Sequence, residues 1–134
     1  MWFFFQGVFA SSLSAEIKFI CNPSSPVDRL TRKEIKNIYL GNQITWSDGS
    51  EIKVGIQRTY SILEEFARDY LQKTPDQFES YWLMKVFTGE GKYPVFFKSE
   101  AKMIEYIRET KTAIGYVSPD VATDTVKVIL LSDE

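Results

Sequence analysis

The chain has 134 residues, of which 44% are hydrophobic and 25% charged, with a net charge of -2 and a pI near 5.3. That length suits one domain with its own buried core, and the lack of any Lys/Arg-rich run argues against a nucleic-acid footprint. Histidine is absent and Cys21 is the only cysteine, which excludes a Cys/His zinc site, a Ser-His-Asp triad, a Cys-His pair and an intrachain disulfide.

The first fifteen residues, "MWFFFQGVFASSLSA", carry no charge and are apolar from Trp2 to Phe9, with small residues following up to Ala15. An apolar stretch ending in a small-residue cleavage site reads as a signal peptide over residues 1–15, leaving residues 16–134 as an exported domain. The apolar run is too short to span a bilayer as a helix.

"EIKFICN" is rich in β-branched and aromatic residues and stops at Asn22-Pro23, so it is expected to be a strand with Cys21 as a buried, inert thiol. "NPSSPVDRL" reads as a loop. "TRKEIKNIYLG" predicts a short helix, with Thr31 and Glu34 as a capping box, Ile35, Ile38 and Tyr39 on one face, and Gly41 at its end. "NQITWSDGSEI" is turn-rich, with Trp46 as an anchor and Asp48-Gly49 as a tight turn. "KVGIQR" predicts the next strand.

Downstream, "ILEEFARDYLQ" places Leu63, Phe66, Ala67, Tyr70 and Leu71 on one helical stripe, and Ser61 with Glu64 offers another capping box. Thr74, Pro75 and Gln77 open a third helix that ends at Thr88-Gly89. Ser99 opens a fourth, "EAKMIEYIRET". "AIGYVS" and "VKVILLS" predict two closing strands. Alternating strands and helices indicate an α/β fold, with parallel pairing and helical crossovers for much of the sheet.

The junction Arg58-Thr59-Tyr60-Ser61 is the chief candidate site. A helix N-terminus exposes unpaired N–H groups and the positive end of the helix dipole, a ready seat for phosphate, sulfate or carboxylate. Arg58 adds a charge-assisted donor, and the hydroxyls of Thr59, Tyr60 and Ser61 add more. The same residues also suit a capped helix with a solvated arginine. Gly89-Glu90-Gly91 follows a helix, which excludes a dinucleotide fingerprint and fits a helix end with a loop; Lys92 then offers a cation to a neighbouring site. The carboxylates are scattered and show no acid/base pair. Tyr81, Trp82, Phe87, Phe96 and Phe97 are expected in the core.

Taken in order, "LTRKEIKNIYLGNQITWSDGSEIKVGIQR", "YWLMKVFTGEGKYP" and "MIEYIRETKTAIGYVS" resemble successive segments of phosphate ABC-transporter substrate-binding proteins. The resemblance extends from Ile17 to Ser118. It implies a single lobe of a periplasmic binding protein type II-like fold, with a mixed central sheet and helices on both faces. It further implies a non-enzymatic, periplasmic solute-binding-like protein that needs no cofactor or metal. Phosphate or a similar small anion would be the ligand, and a transporter or envelope protein the partner. The family's phosphate turn reads Arg-Ser-Asp-Gly-Ser-Gly-Thr. Here Arg58 and Ser61 match, while Ile62 and Leu63 put bulk where backbone would approach a ligand. That departure, with one lobe in place of two, leaves a second reading open: an interaction module that kept the lobe and lost the ligand.

Overall fold

In a computed structural model, which describes residues 16–132, six strands form one sheet. They are β1 (Lys18–Cys21), β2 (Arg29–Thr31), β3 (Lys53–Gln57), β4 (Val95–Phe97), β5 (Ala113–Val117) and β6 (Lys127–Ser132), in the order β2-β6-β1-β5-β3-β4. The helices are α1 (Arg32–Tyr39), α2 (Tyr60–Phe66), α3 (Pro75–Phe87) and α4 (Glu100–Glu109), with α2 continuing into a π-helical turn over Ala67–Leu71. The signal-peptide reading of residues 1–15 lies outside the described residues.

Strand alternation divides the core in two. Phe19, Cys21, Ile56, Ile114, Tyr116 and Ile129 point to the face covered by α1, α2 and α3. Ile20, Ala113 and Val117 point to the face covered by α4 through Met103 and Ile107. Helices thus lie on both faces. In the larger half, the Phe66 ring stacks on Tyr116 at 4.1 Å between centroids and meets Tyr39 edge-on at 4.7 Å.

The Thr31–Glu34 box forms as expected, and so does the Thr74–Gln77 box with Pro75 at the first helical position. Ser99 accepts from the Lys102 N–H at the start of α4. Trp46 is buried and its indole N–H donates to Thr112 O at 3.0 Å, while Gly49 takes φ +89° in the tight turn. Cys21 is buried, and burial raises its thiol pKa.

The mixed sheet is as expected, with parallel pairing for β2–β6, β3–β4 and β3–β5 and β1 antiparallel to both β5 and β6. Several expectations are corrected. The loop "NPSSPVDRL" ends in β2, three residues whose only apolar contribution is Leu30, and β4 adds a further short strand. Strands this short carry too few residues for a period to show. The Ser61–Glu64 box does not form, because the helix begins two residues earlier: Thr59 is the N-cap, without a side-chain cap bond, and Ser61 sits inside the first turn. Phe87 is not in the core but 88% exposed.

Candidate functional site

The parallel strands β3 and β5 end at the same edge of the sheet, and the chain turns there from Gln57 into α2 and from Val117 into Ser118. Helix α4 also starts at this edge, because β4 runs parallel to β3 and precedes it. Two helix N-termini therefore meet at one sheet edge, as short strand–helix turns require.

The two ends differ in electrostatics. At α4 the chain supplies its own anion. Glu100 accepts from Ser118 N–H at 2.6 Å and Ser118 Oγ at 2.9 Å, and takes the Gln57 Nε2 at 3.0 Å. Gln57 is fully buried; its Nε2 also donates to Tyr116 O, and its Oε1 has no donor among the described residues. The Tyr116 hydroxyl returns a bond to Gln57 O at 2.9 Å. These bonds fix the floor of the edge and satisfy the dipole of α4 with a carboxylate.

At α2 no carboxylate among the described residues caps the helix. Thr59 O accepts from Ile62 and Leu63 N–H at 3.1 and 2.9 Å, so the turn is formed, yet the N–H groups of Thr59, Tyr60 and Ser61 find no acceptor among the described residues. Arg58, Thr59, Tyr60 and Ser61 are all exposed. Arg58 is anchored through its own N–H, which donates to Phe97 O at 2.7 Å. Its guanidinium lies 4.2 Å over the Phe96 ring and pairs with Glu79 Oε2 at 3.2 Å. The corner can thus offer an anion three amides, two hydroxyls and the remaining guanidinium donors.

Arg58, Thr59 and Ser61 come together as the sequence suggests. Tyr60 stands aside in a groove with Glu64, Arg68 and Lys73. Lys92 is not brought to the corner. It pairs with Glu51 at 3.7 Å near the start of β3, because β4 and the residues before it run alongside β3 in parallel register. Sequence reasoning missed Glu79 and Phe96, the two groups that hold the guanidinium, and the Gln57–Glu100–Ser118 floor. A polar Gln57 directly after the apolar Val54-Gly55-Ile56 run was the one local sign of that floor.

No protein-family model matches the chain, and no curated protein matches it in sequence. Solved structures do match in shape. An ABC-type phosphate transport receptor from Vibrio cholerae superposes with a TM-score of 0.63 at 17% identity, over 87% of this chain and 46% of that one. The fold is that of a periplasmic binding protein lobe. A phosphate ABC transporter substrate-binding protein from Clostridium perfringens with bound phosphate gives a TM-score of 0.67 at 18% identity, over 87% and 45%. A phosphate-binding protein from Stenotrophomonas maltophilia gives 0.67 at 16%, over 88% and 39%. The chain therefore spans less than half the length of these neighbours.

Proposed function

We propose that this lobe is an exported, non-enzymatic solute-binding-like protein that holds phosphate or another small oxyanion weakly at the β3–α2 corner. The observation that carries the reading is the set of open N–H groups at Thr59, Tyr60 and Ser61 beside the Arg58 guanidinium. In this reading the amides and the hydroxyls of Thr59 and Ser61 donate to the anion, and Arg58 adds charge. Affinity is low for two reasons. Glu79 competes for the guanidinium, and an exposed corner leaves much of the anion in water, so few of its hydration bonds are replaced by protein donors. The partner would be a transporter or envelope protein.

Isothermal titration with phosphate and with sulfate at low salt tests this. Heat that saturates, and that vanishes in Arg58→Ala, is the expected result. The absence of binding up to millimolar phosphate would overturn it and leave the interaction module, for which the same edge of the sheet is the contact surface.

A further inference from the structure

The groups around the Arg58 guanidinium differ in how firmly they are held. Arg58 itself is fixed twice. Its N–H donates to Phe97 O at 2.7 Å, and its guanidinium lies 4.2 Å over the Phe96 ring. Glu79 projects from the second turn of α3, and its one ion pair among the described residues is the 3.2 Å bond to Arg58 Nη2. Its side chain is 48% exposed. Of the two partners, the carboxylate is therefore the one free to move. A half-exposed pair of this kind is weak enough to be exchanged.

A further side chain completes the cluster. The Tyr93 ring packs against the same Phe96 ring, at 5.1 Å between centroids and 36° between planes. Arg58 and Tyr93 thus share one aromatic support. The Tyr93 hydroxyl stands beside both members of the ion pair. Burial raises its pKa, the Glu79 carboxylate raises it further, and Arg58 opposes them. Its contact with Glu79 is looser than the Arg58–Glu79 bond. The phenol is therefore a donor within reach of a carboxylate that is at present committed to another group.

An anion at the corner changes that balance. Two negative groups on one guanidinium repel each other, so the arriving anion weakens the hold of Arg58 on Glu79. A phenol O–H given to a carboxylate makes a charge-assisted hydrogen bond, stronger than a neutral one. We propose that Glu79 is a resident counter-ion which an incoming oxyanion exchanges off Arg58, and that the Tyr93 hydroxyl receives it. This inference rests on the anion reading of the β3–α2 corner. Tyr93 is then a positioning residue: it acts through Glu79 and does not touch the anion. Exchange also keeps the guanidinium neutralised when the corner is empty, and gives Glu79 a defined place when it is filled.

The test is titration calorimetry with inorganic phosphate on the parent chain, Tyr93→Phe, Glu79→Gln and the double variant. Tyr93→Phe should weaken binding about threefold in the parent and leave Glu79→Gln unchanged, because no carboxylate then needs a receiver. A purely structural role would weaken both backgrounds alike, and that result would overturn the proposal. So would unchanged affinity in Tyr93→Phe. In NMR spectra the Tyr93 ring signals should shift on phosphate addition in the parent and stay in place in Glu79→Gln. An equal shift in both would put Tyr93 on the anion itself and exclude the exchange. Circular dichroism checks the fold, and if Tyr93→Phe fails to fold, the NMR comparison carries the test. Arg58→Ala separates the two levels of the argument. Phosphate heat that is absent, or that survives Arg58→Ala, would overturn the corner reading and this inference with it. Arg58-dependent heat with no difference between the two backgrounds would overturn this inference alone.

Discussion

Arg58 has two partners before any ligand arrives, and they act in opposite ways. The Phe96 ring supports the guanidinium from below and leaves its edge N–H groups open. Glu79 takes one of those edges and adds a negative charge beside the place an anion would sit. Both members of the Arg58–Glu79 pair are about half exposed, so the bond itself contributes only about 0–1 kcal/mol. Removing the carboxylate should therefore cost the fold little and help the anion. Glu79→Gln is expected to raise phosphate affinity about two- to fivefold by titration calorimetry, with the urea midpoint nearly unchanged. Unaltered affinity in a variant that still binds would show that the guanidinium takes no part. The Arg58, Thr59 and Ser61 positions were legible because a strand-to-helix junction is a local pattern. Glu79 was not, since a residue 21 positions away reaches Arg58 only through the docking of α3. Lys92 was misplaced for a similar reason: its position depends on the β3–β4 register, which local spacing does not encode.

Among the elements, those with chemical punctuation could be read in advance. Thr31–Glu34 and Thr74–Gln77 each satisfy two backbone donors through side chains three residues apart, and both helices begin where those pairs stand. Helix α2 has no such signal at its true start, and Ser61–Glu64 imitated one. The strands β2 and β4 were missed because three residues show no period, and their pairing comes from neighbours distant in sequence. Helix α4 is open to a test of its own, because it is the one helix among the described residues on its sheet face and carries Glu100 to the edge. It sits so close to β5 that a Cβ on Gly115 would fall 2.7 Å from Met103 Sδ and 3.2 Å from Ile107 Cδ1. Gly115→Val should push α4 outward and destabilise the domain by about 1–3 kcal/mol. It should also loosen the Glu100–Ser118 bonds, seen as faster amide exchange at Ser118. Native exchange there together with full stability would mean that α4 tolerates the displacement.

At the scale of the whole molecule, strand order and direction were the least legible feature. Helical crossovers pointed to parallel pairing for much of a mixed sheet, and β2–β6, β3–β4 and β3–β5 are parallel; which strand would run the other way was not legible, and it is β1, which enters between β5 and β6 antiparallel to both. The resulting sheet is held on its larger face by two phenols bonded to the same strand. Tyr39 donates to Gly55 O at 3.2 Å and Tyr116 to Gln57 O at 2.9 Å, so both secure β3, the strand that leads into the candidate site. Burial raises the pKa of each phenol well above the ordinary value near 10. Above pH 10 the unfolded chain loses these two protons while the folded chain keeps them. The stability they contribute is thus complete below pH 10 and falls as pH rises toward the folded-state values. Each phenol accounts for about 1.4 kcal/mol per pH unit in that window, or about 3 kcal/mol for the pair. Against a total stability of about 5–15 kcal/mol, a decline of that slope is a substantial loss within a single pH unit. Urea midpoints between about pH 9 and pH 12 should show a decline that begins near pH 10 and steepens beyond it. Tyr116→Phe should lower stability at neutral pH by about 1 kcal/mol, through the lost bond to Gln57 O, yet make the alkaline decline about half as steep. An alkaline slope that is the same in Tyr116→Phe and the parent would mean that this phenol ionises in the folded state. The core around Phe66 would then admit water at high pH instead of resisting it.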